Sequence, residues 1–311
     1  MTRLARHEKI AAALEDAPDD LLASARPLGT GIGGSTWQLT VAGEPVFVKR
    51  VALTDIEVRH EGSTADLYGL PAWYHYGVGS AGISAWRELD AHLAATGWVR
   101  TGQCENFPLL HHWRVLPGLP RPRADLERDV AFWHGDPGVR RRLAALDGAT
   151  TDLVLFLEHL PQNLAQWLGG NPGGVTMAHR DLRGITEFLG GQGVQHFDAH
   201  FENILTDGEQ LYLTDFGLAA MPDFALSPAE AAFLAEHSAH DQAYVLTRLA
   251  NWITRHDIDD DGQCSRYAPL AAVVNDFYFA LHTEDRRTPY PAAEIAQQLE
   301  RAGLPANRSP R

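Results

Sequence analysis

The chain has 311 residues, a formal net charge of −14, 45% hydrophobic residues and 21% charged residues. This length suggests one large domain or two lobes, and the composition excludes collagen-like, coiled-coil and wholly disordered chains. No apolar run is long enough for a transmembrane helix, and the N-terminal residues lack the apolar core of a signal peptide.

The acidic balance argues against binding to nucleic acid or to an anionic membrane surface through bulk electrostatics. Cys104 and Cys264 are the two cysteines of the sequence, and no CxxC motif occurs. A disulfide framework and a cysteine-based zinc site are therefore not expected, and a reducing cytoplasm fits best.

The first half of the chain is predicted to be rich in strands. In chain order we expect a helix over 5–15, a glycine cluster at 29–36 and a hairpin of Trp37–Val41 and Val46–Lys49. An irregular aromatic stretch over 50–83 is followed by a helix that Ser84 caps and that runs to Ala95. Two further strands are expected at Phe107–Leu116 and Leu153–Glu158, with a helical stretch at 121–147 between them.

The second half is predicted to be mostly helical. We expect helices at Asn163–Leu168 and Met177–Leu189, a polar loop at His196–Asn203, short strands at Ile204–Leu205 and Leu211–Thr214, and helices at 228–237, 241–256, 269–282 and 291–303. A strand-rich half followed by a helix-rich half favours two packed lobes over a doubly wound parallel sheet.

Three motifs follow one another along the chain. They are Gly29-x-Gly31-x-x-Gly34 before a strand that carries Lys49, then His196-Phe-Asp198-Ala-His200-Phe-Glu-Asn203, and then Asp215-Phe216-Gly217. Glycines allow backbone N–H groups to approach phosphate oxygens, and a neighbouring lysine can neutralise the phosphates. An aspartate can accept the proton of an attacking hydroxyl, while an asparagine and a second aspartate can hold Mg²⁺.

This combination resembles the protein-kinase-like superfamily, which includes protein kinases and the aminoglycoside and choline kinase-like phosphotransferases. The resemblance covers residues 27–256 and implies an α+β, bilobal fold with ATP and Mg²⁺ in the cleft. It implies an N-lobe at 1–158, with an antiparallel sheet and one helix, and a helical C-lobe at 159–311.

The resemblance also assigns roles to individual residues. Asp198 corresponds to the catalytic base, and Asn203 and Asp215 correspond to the metal ligands. The nucleotide-binding positions are Gly29, Gly31, Gly33, Gly34 and Ser35 in the glycine-rich loop, Lys49 with its partner Glu88, and Glu158 and Leu160 at the adenine-binding hinge. Glu57 and Glu61 are the alternatives to Glu88 as the partner of Lys49.

Two further patterns are set aside. His179-Arg180-Asp181-Leu182 reproduces a catalytic-loop tetrapeptide, but no asparagine follows at the required position, and we interpret it as a solvated helix face. Asp257-x-Asp259-x-Asp261-Gly262 copies half of a calcium loop, but Ala268 stands where a bidentate glutamate is needed, so we interpret it as a solvated acidic turn.

The acceptor is less closely specified than the nucleotide. His200 stands where protein kinases carry a lysine, and the segment from Asp215 to Glu230 is short, which favours a small-molecule hydroxyl as acceptor. The Asp215-Phe216-Gly217 motif favours a protein or peptide acceptor instead. A nucleotide-binding pseudokinase scaffold is the third hypothesis. The insertions near 50–83 and 117–150 shape the acceptor site, form an interface, or serve as covering helices.

Overall fold

The structure is a computed structural model that describes residues 1–121, 123–258, 262 and 264–304. The chain forms an α+β protein with two compact units. Unit 1 comprises residues 1–74 and 79–160, and unit 2 comprises residues 75–78 and 161–311. The short segment 75–78 therefore belongs structurally to the second unit, although it lies in the first half of the chain.

Unit 1 contains a five-stranded antiparallel sheet with the strand order β1-β2-β3-β5-β4. The strands are β1 (Arg26–Gly31), β2 (Gly34–Val41), β3 (Glu44–Leu53), β4 (Leu110–Pro117) and β5 (Thr151–Glu158). The predicted hairpin is confirmed as β2 and β3, and both strands are longer than expected. Part of the predicted glycine cluster forms β1, because the chain folds back on itself at residues 31–34 to pair with β2.

Side chains of alternate residues in β5 point to opposite faces of the sheet, and both faces are covered. Val154 and Phe156 pack against α1 (Arg3–Glu15), whereas Leu153, Leu155 and Leu157 pack against α3 (Ala85–Arg100). This explains why β5 reads as a nearly continuous apolar run in the sequence.

The prediction of a single helix in the N-terminal lobe is wrong. The described part of unit 1 contains α1 and α3 together with α2 (Asp55–Arg59), α4 (Leu126–Phe132) and α5 (Pro137–Asp147). The stretch 50–83 is also less irregular than predicted, since β3 continues to Leu53 and α2 follows at once. The signal for α2 was present as a capping box, in which Thr54 and Glu57 bond to each other's backbone.

The helix α3 carries the side chain proposed to hold Lys49. Ser84 caps its start as predicted, with its hydroxyl accepting from the N–H of Trp86, but the helix continues to Arg100 rather than ending at Ala95. Trp86 and Leu89 join the sheet core, so packing of this face holds the helix against β3 and β5. Its position therefore follows from apolar burial.

Unit 2 is mostly helical with a three-stranded sheet in the order β6-β7-β8. The strands are β6 (Gln162–Asn163), β7 (Ile204–Thr206) and β8 (Leu211–Leu213), and the helices are α6 (Leu164–Gly170), α7 (Val175–Gly191), α8 (Pro228–Glu236), α9 (His240–His256), α10 (Ala268–Thr283) and α11 (Ala292–Arg301). The helix α9 packs against α7 and α10. The predicted elements of this half are confirmed to within a few residues at their ends.

The interpretation of His179–Leu182 as a solvated helix face is wrong. These residues lie in α7, but His179 and Asp181 are each only 8% exposed. His179 Nε2 lies 2.7 Å from the hydroxyl of Tyr267, and Asp181 accepts from the N–H of Leu211. Asp181 therefore supports the start of β8 as a structural residue. In the calcium-like segment, Asp259 and Asp261 lie outside the described residues.

Within the part of the chain that the structure describes, no helix combines the length and the apolar character needed to cross a membrane.

Candidate active site

The glycine-rich turn connects β1 to β2. Gly34 has φ +136°, and a Cβ at this position would overlap the backbone carbonyl oxygen of Arg50, so only glycine fits there. A Cβ at Gly31 would meet nothing within 4 Å, and one at Gly33 would lie 3.6 Å from Lys49 Nζ. The turn therefore passes close to the lysine while keeping free space along its own backbone.

Lys49 and Glu88 form the ion pair that was predicted for the first unit. Lys49 Nζ lies 2.6 Å from Glu88 Oε1, and both residues are at most 5% exposed. The competitors are excluded from this role, because Glu57 binds the guanidinium of Arg142 and Glu61 is exposed. Arg142 holds the pKa of Glu57 below its usual range even though burial acts in the opposite direction.

A cavity of about 340 Å³ lies between the glycine-rich turn and the insertion near 117–150. Its walls include the backbone of residues 30–34 and the cations Arg121, Arg123 and Arg142. Arg50 and Arg121 share the carboxylate of Asp152 at 2.8 Å and 2.5 Å, and the carboxylate of Asp147 also lines the cavity beside Arg123. The cations near the glycine turn are therefore paired with carboxylates of the same unit.

The remaining predicted nucleotide-binding residues are placed as follows. Ser35 lies at the start of β2, where its hydroxyl accepts from the indole N–H of Trp37. The carboxylate of Glu158 accepts from Arg3 and from the N–H of Leu109, so this side chain is already engaged within the unit. Leu160 is half-buried at the end of unit 1.

In unit 2 the hairpin of β7 and β8 brings the two predicted metal ligands to the same end of the sheet. Ile204 pairs with Leu213 in antiparallel register, and the N–H of Thr214 donates to the carbonyl of Asn203. Asn203 directly precedes β7, and Asp215 follows β8 after one intervening residue. Asn203 and Asp215, which belong to separate sequence motifs, therefore become neighbours through strand pairing.

Asn203 fixes the predicted catalytic aspartate. Its Nδ2 group donates to the backbone carbonyl and to Oδ2 of Asp198, at 3.0 Å and 3.1 Å. Its Oδ1 atom then has no hydrogen-bond partner among the described residues. Asp215 has a left-handed backbone, with φ +65°, and its carboxylate accepts from the N–H of Gly217. A carbonyl oxygen and a carboxylate at one end of the hairpin are ligands that Mg²⁺ prefers.

No group of three or more His, Cys, Asp or Glu side chains is arranged to hold a metal ion among residues 1–121, 123–258, 262 and 264–304. The donors at this site are one amide and one carboxylate. Mg²⁺ commonly takes one or two carboxylates from the protein and completes its shell with phosphate and water. The donor set of Asn203 and Asp215 therefore fits a magnesium ion.

His200, which stands where protein kinases carry a lysine, is close to Asp198. Its Nε2 atom lies 3.7 Å from Asp198 Oδ2, and its Nδ1 atom lies 3.0 Å from Glu202 Oε2. Burial lowers the pKa of His200, and Arg248 lowers it further while Glu202 acts in the opposite direction. The imidazole is therefore neutral at physiological pH.

Asp241, which the sequence did not single out, holds the loop that contains Asp198. The buried carboxylate of Asp241 accepts from the N–H groups of His196 and Phe197, at 2.5 Å and 2.9 Å. Phe197 has φ +63°, a costly conformation for a bulky side chain, and these bonds hold it there. Burial opposes ionisation of Asp241, but the hydrogen bond and charge of His240, together with His196, keep its pKa below the usual range.

His196 connects the loop to the strand before Asp215. Its Nδ1 atom accepts from the N–H of Asp198 at 3.3 Å, so Nε2 carries the proton and donates to the carbonyl of Thr214 at 3.0 Å. Burial lowers the pKa of this imidazole, which matches the neutral form that these two bonds require. His196 is therefore a positioning residue.

The segment 75–78 supports Asp198 from another direction. His75 Nδ1 lies 3.0 Å from the carbonyl of Leu218, and Tyr76 donates its hydroxyl proton to His237 Nε2 at 2.6 Å. Gly77 follows these two residues and lies against Asp198, because a Cβ at Gly77 would overlap the carboxylate of Asp198. The sequence offered only an aromatic stretch with glycines here, which does not reveal a contact across more than a hundred residues.

A comparison with models of known protein families finds no match, and none of the curated proteins compared with this chain matches it.

Proposed function

We propose that this protein has a protein-kinase-like fold and is an ATP- and Mg²⁺-dependent phosphotransferase that acts on a hydroxyl group, with a small molecule as acceptor. The observation that carries this proposal is the set of contacts in unit 2 by which Asn203 holds Asp198 and strand pairing brings Asp215 to the same end of the hairpin. Unit 1 adds independent support through the buried Lys49–Glu88 pair beside the glycine-rich turn.

In this mechanism the residues of unit 1 bind the nucleotide phosphates. Backbone N–H groups of the glycine-rich turn approach the phosphate oxygens, and Lys49, oriented by Glu88, neutralises their charge. Asn203 and Asp215 would hold the metal through hard oxygen donors. Bound Mg²⁺ supplies neutralisation of the charge on the transferred phosphoryl group.

Asp198 orients the acceptor and receives the proton of its hydroxyl group. A bond forms between the acceptor oxygen and the γ-phosphorus, and the bond from that phosphorus to the bridging oxygen of ATP breaks. The bonding electrons leave with ADP. His200 Nε2 lies 3.7 Å from Asp198 Oδ2, so its ring is beside the group that receives the hydroxyl proton.

A protein or peptide acceptor is the second candidate, favoured by Asp215-Phe216-Gly217. Incubation with γ-labelled ATP and a cell lysate separates the two. Label in macromolecules supports a protein acceptor, and label confined to small molecules supports the first candidate.

The nucleotide site is tested by thermal unfolding with ATP, in the presence and absence of Mg²⁺, on the wild type, Lys49→Ala and Asp215→Ala. Ligand at about 100 times its Kd adds about 2.7 kcal/mol to the free energy of unfolding, which raises Tm visibly. We expect an increase that depends on Mg²⁺ and on both residues. No increase with any nucleotide would contradict the proposed function.

A further inference from the structure

Unit 2 contains a cavity of about 380 Å³ that the mechanism has not used. It lies between α9 and α10, and its wall includes Gly77 and Phe197. Gly77 is the residue whose α-carbon closely approaches the carboxylate of Asp198, and Phe197 precedes that aspartate in the chain. The cavity therefore adjoins the proposed base, and its volume suits a small molecule.

The side chains of this cavity have a distinct charge pattern. Among the described residues that line it, Arg248 carries a positive charge and no carboxylate is present. Burial, reinforced by Arg286, holds the pKa of His282 below its usual range, and burial raises the pKa of Tyr244 to about 12, so both are neutral at physiological pH. The carboxylates of Asp198, Glu202 and Asp241 influence Tyr244 electrostatically but do not line the cavity.

Arg248 is free to bind a ligand. It is exposed, and it makes no ion pair with any residue in the part of the chain that the structure describes. Its guanidinium lies 6.0 Å from the centre of the Tyr244 ring, one turn earlier on α9. A guanidinium presents a planar fork of N–H donors that matches the two oxygens of a carboxylate.

The rest of the wall is aromatic and amide in character. The rings of Tyr244 and Tyr278 lie 5.1 Å apart, and Phe279 is 65% exposed. Asn251 and Asn275 donate to each other across the two helices at 2.8 Å and 3.1 Å. Flat apolar surface beside one guanidinium favours a planar ligand with a single anionic group.

We propose that this cavity is the acceptor site and that the acceptor is a small hydroxylated carboxylate with a flat apolar part, bound through Arg248. The inference rests on the proposed phosphotransferase function, since the hydroxyl of such a molecule would face Asp198. An anionic acceptor differs from what the net charge of −14 alone would favour, which is a cationic partner.

The test measures binding of three matched probes by calorimetry in the absence of nucleotide. The probes are para-(hydroxymethyl)benzoate, its neutral amide, and para-(hydroxymethyl)benzylamine, which differ in charge but hardly in shape. On the wild type we expect the carboxylate to bind about tenfold more tightly than the amide, and the amine to bind most weakly. Raising the salt concentration should reduce this preference.

The variant Arg248→Gln removes the charge from an exposed helix position, so the fold should persist. It should abolish the preference for the carboxylate. Arg255→Gln is the matched control, because Arg255 is also exposed on α9 but does not line the cavity, and it should retain the preference. A preference for the amine, an unchanged preference in Arg248→Gln, or no binding of any probe at about 10 mM would overturn the assignment.

Release of ADP with the same probes, ATP and Mg²⁺ separates this inference from the proposed function. Carboxylate binding through Arg248 without any ADP release would support the cavity assignment and contradict the phosphotransferase. ADP release with the amide or the amine but not with the carboxylate would support the phosphotransferase and contradict the cavity assignment.

Discussion

At the scale of single residues, the candidate site depends on a few atoms whose neighbours restrict them. Asn203 donates its amide N–H groups to Asp198, the proposed base, and its carbonyl oxygen is left for the proposed metal. Gly34 is restricted by a neighbouring carbonyl, whereas Gly31 has open space around it. Substitutions at these positions should separate structural from chemical roles.

Asp198→Asn keeps the shape of the side chain but removes its ability to accept a proton. We expect turnover to fall by a factor of about 10²–10⁴, because a general base contributes roughly that much. Nucleotide binding should persist, since Lys49 and the glycine-rich turn are unchanged. Steady-state ADP release gives the first quantity and the Mg²⁺-dependent rise in Tm gives the second. Turnover close to that of the wild type would show that Asp198 is not the base.

Gly34→Ala places a methyl group against the carbonyl oxygen of Arg50 at a backbone angle of φ +136°. We expect a loss of about 2–3 kcal/mol in the free energy of unfolding, measured with urea. Gly31→Ala is the control, because a Cβ there meets nothing within 4 Å, and its stability should change by less than about 0.5 kcal/mol. If phosphates approach Gly31, that second variant should nevertheless bind ATP more weakly.

At the scale of elements, two supports converge on the loop of unit 2 that contains Asp198. Asp241, in the first turn of α9, holds the backbone on the N-terminal side of Asp198, and the β7–β8 hairpin holds Asn203 on the other side. The segment 75–78 then contacts the carboxylate itself. The loop has little regular secondary structure, but buried hydrogen bonds hold it in place. This favours a precise orientation of the proposed base.

Gly77→Ala tests the segment 75–78. The added methyl group overlaps Asp198 Oδ1, and the carboxylate is the part that can move, so the base should be displaced while the fold remains. We expect kcat to fall by about tenfold to a hundredfold, since small displacements of a reacting group have effects of that size.

The control for this change is Gly184→Ala in α7, where a Cβ meets nothing within 4 Å. This variant should keep its turnover and gain a little stability from higher helix propensity. A wild-type kcat in Gly77→Ala would show that the segment does not position the base.

At the scale of the whole molecule, a strongly acidic chain keeps several buried imidazoles neutral. Burial, followed by the charge of His240, lowers the pKa of His237 to about 3. His237 Nδ1 donates to the carbonyl of Phe233 at 2.7 Å, and Nε2 accepts from Tyr76. Its ring stacks on Phe233 and on Tyr290. Both ring nitrogens are satisfied only in the neutral form.

The stability of the protein should therefore fall as the pH falls below the ordinary histidine range. The pKa of His237 is lower in the folded state than in the unfolded chain, so the unfolded chain takes up the proton first and the folded state loses stability. For this one residue the loss is about 2 kcal/mol at pH 5, from a difference of about 1.5 pH units.

Urea unfolding of the wild type and His237→Gln, at about pH 7.5 and about pH 5, measures this contribution. The variant should be less stable at the higher pH but should lose less stability on acidification. An equal loss in both proteins would assign the pH dependence to other groups.

The sequence alone determined most of the secondary-structure elements and named the candidate site residues. Period-2 and helical apolar patterns predicted the β2–β3 hairpin and the helices of unit 2, because side-chain alternation depends only on local geometry. The pairing of Lys49 with Glu88 was also predicted, because the resemblance to kinases implies a helix glutamate as the partner of this lysine. The fold family and the reaction remain proposals.

Only the tertiary structure decided which distant residues support the site. Contacts between segments far apart in the chain place Gly77 against Asp198 and bring Asp241 to the N–H of His196. Such contacts also bury His179 and Asp181. A local pattern carries no information about such contacts: an acidic residue in the first turn of a helix reads the same whether it caps that helix or holds a distant loop. The same limit applies to the cavity of Arg248, because its charge pattern arises only when α9 and α10 pack side by side.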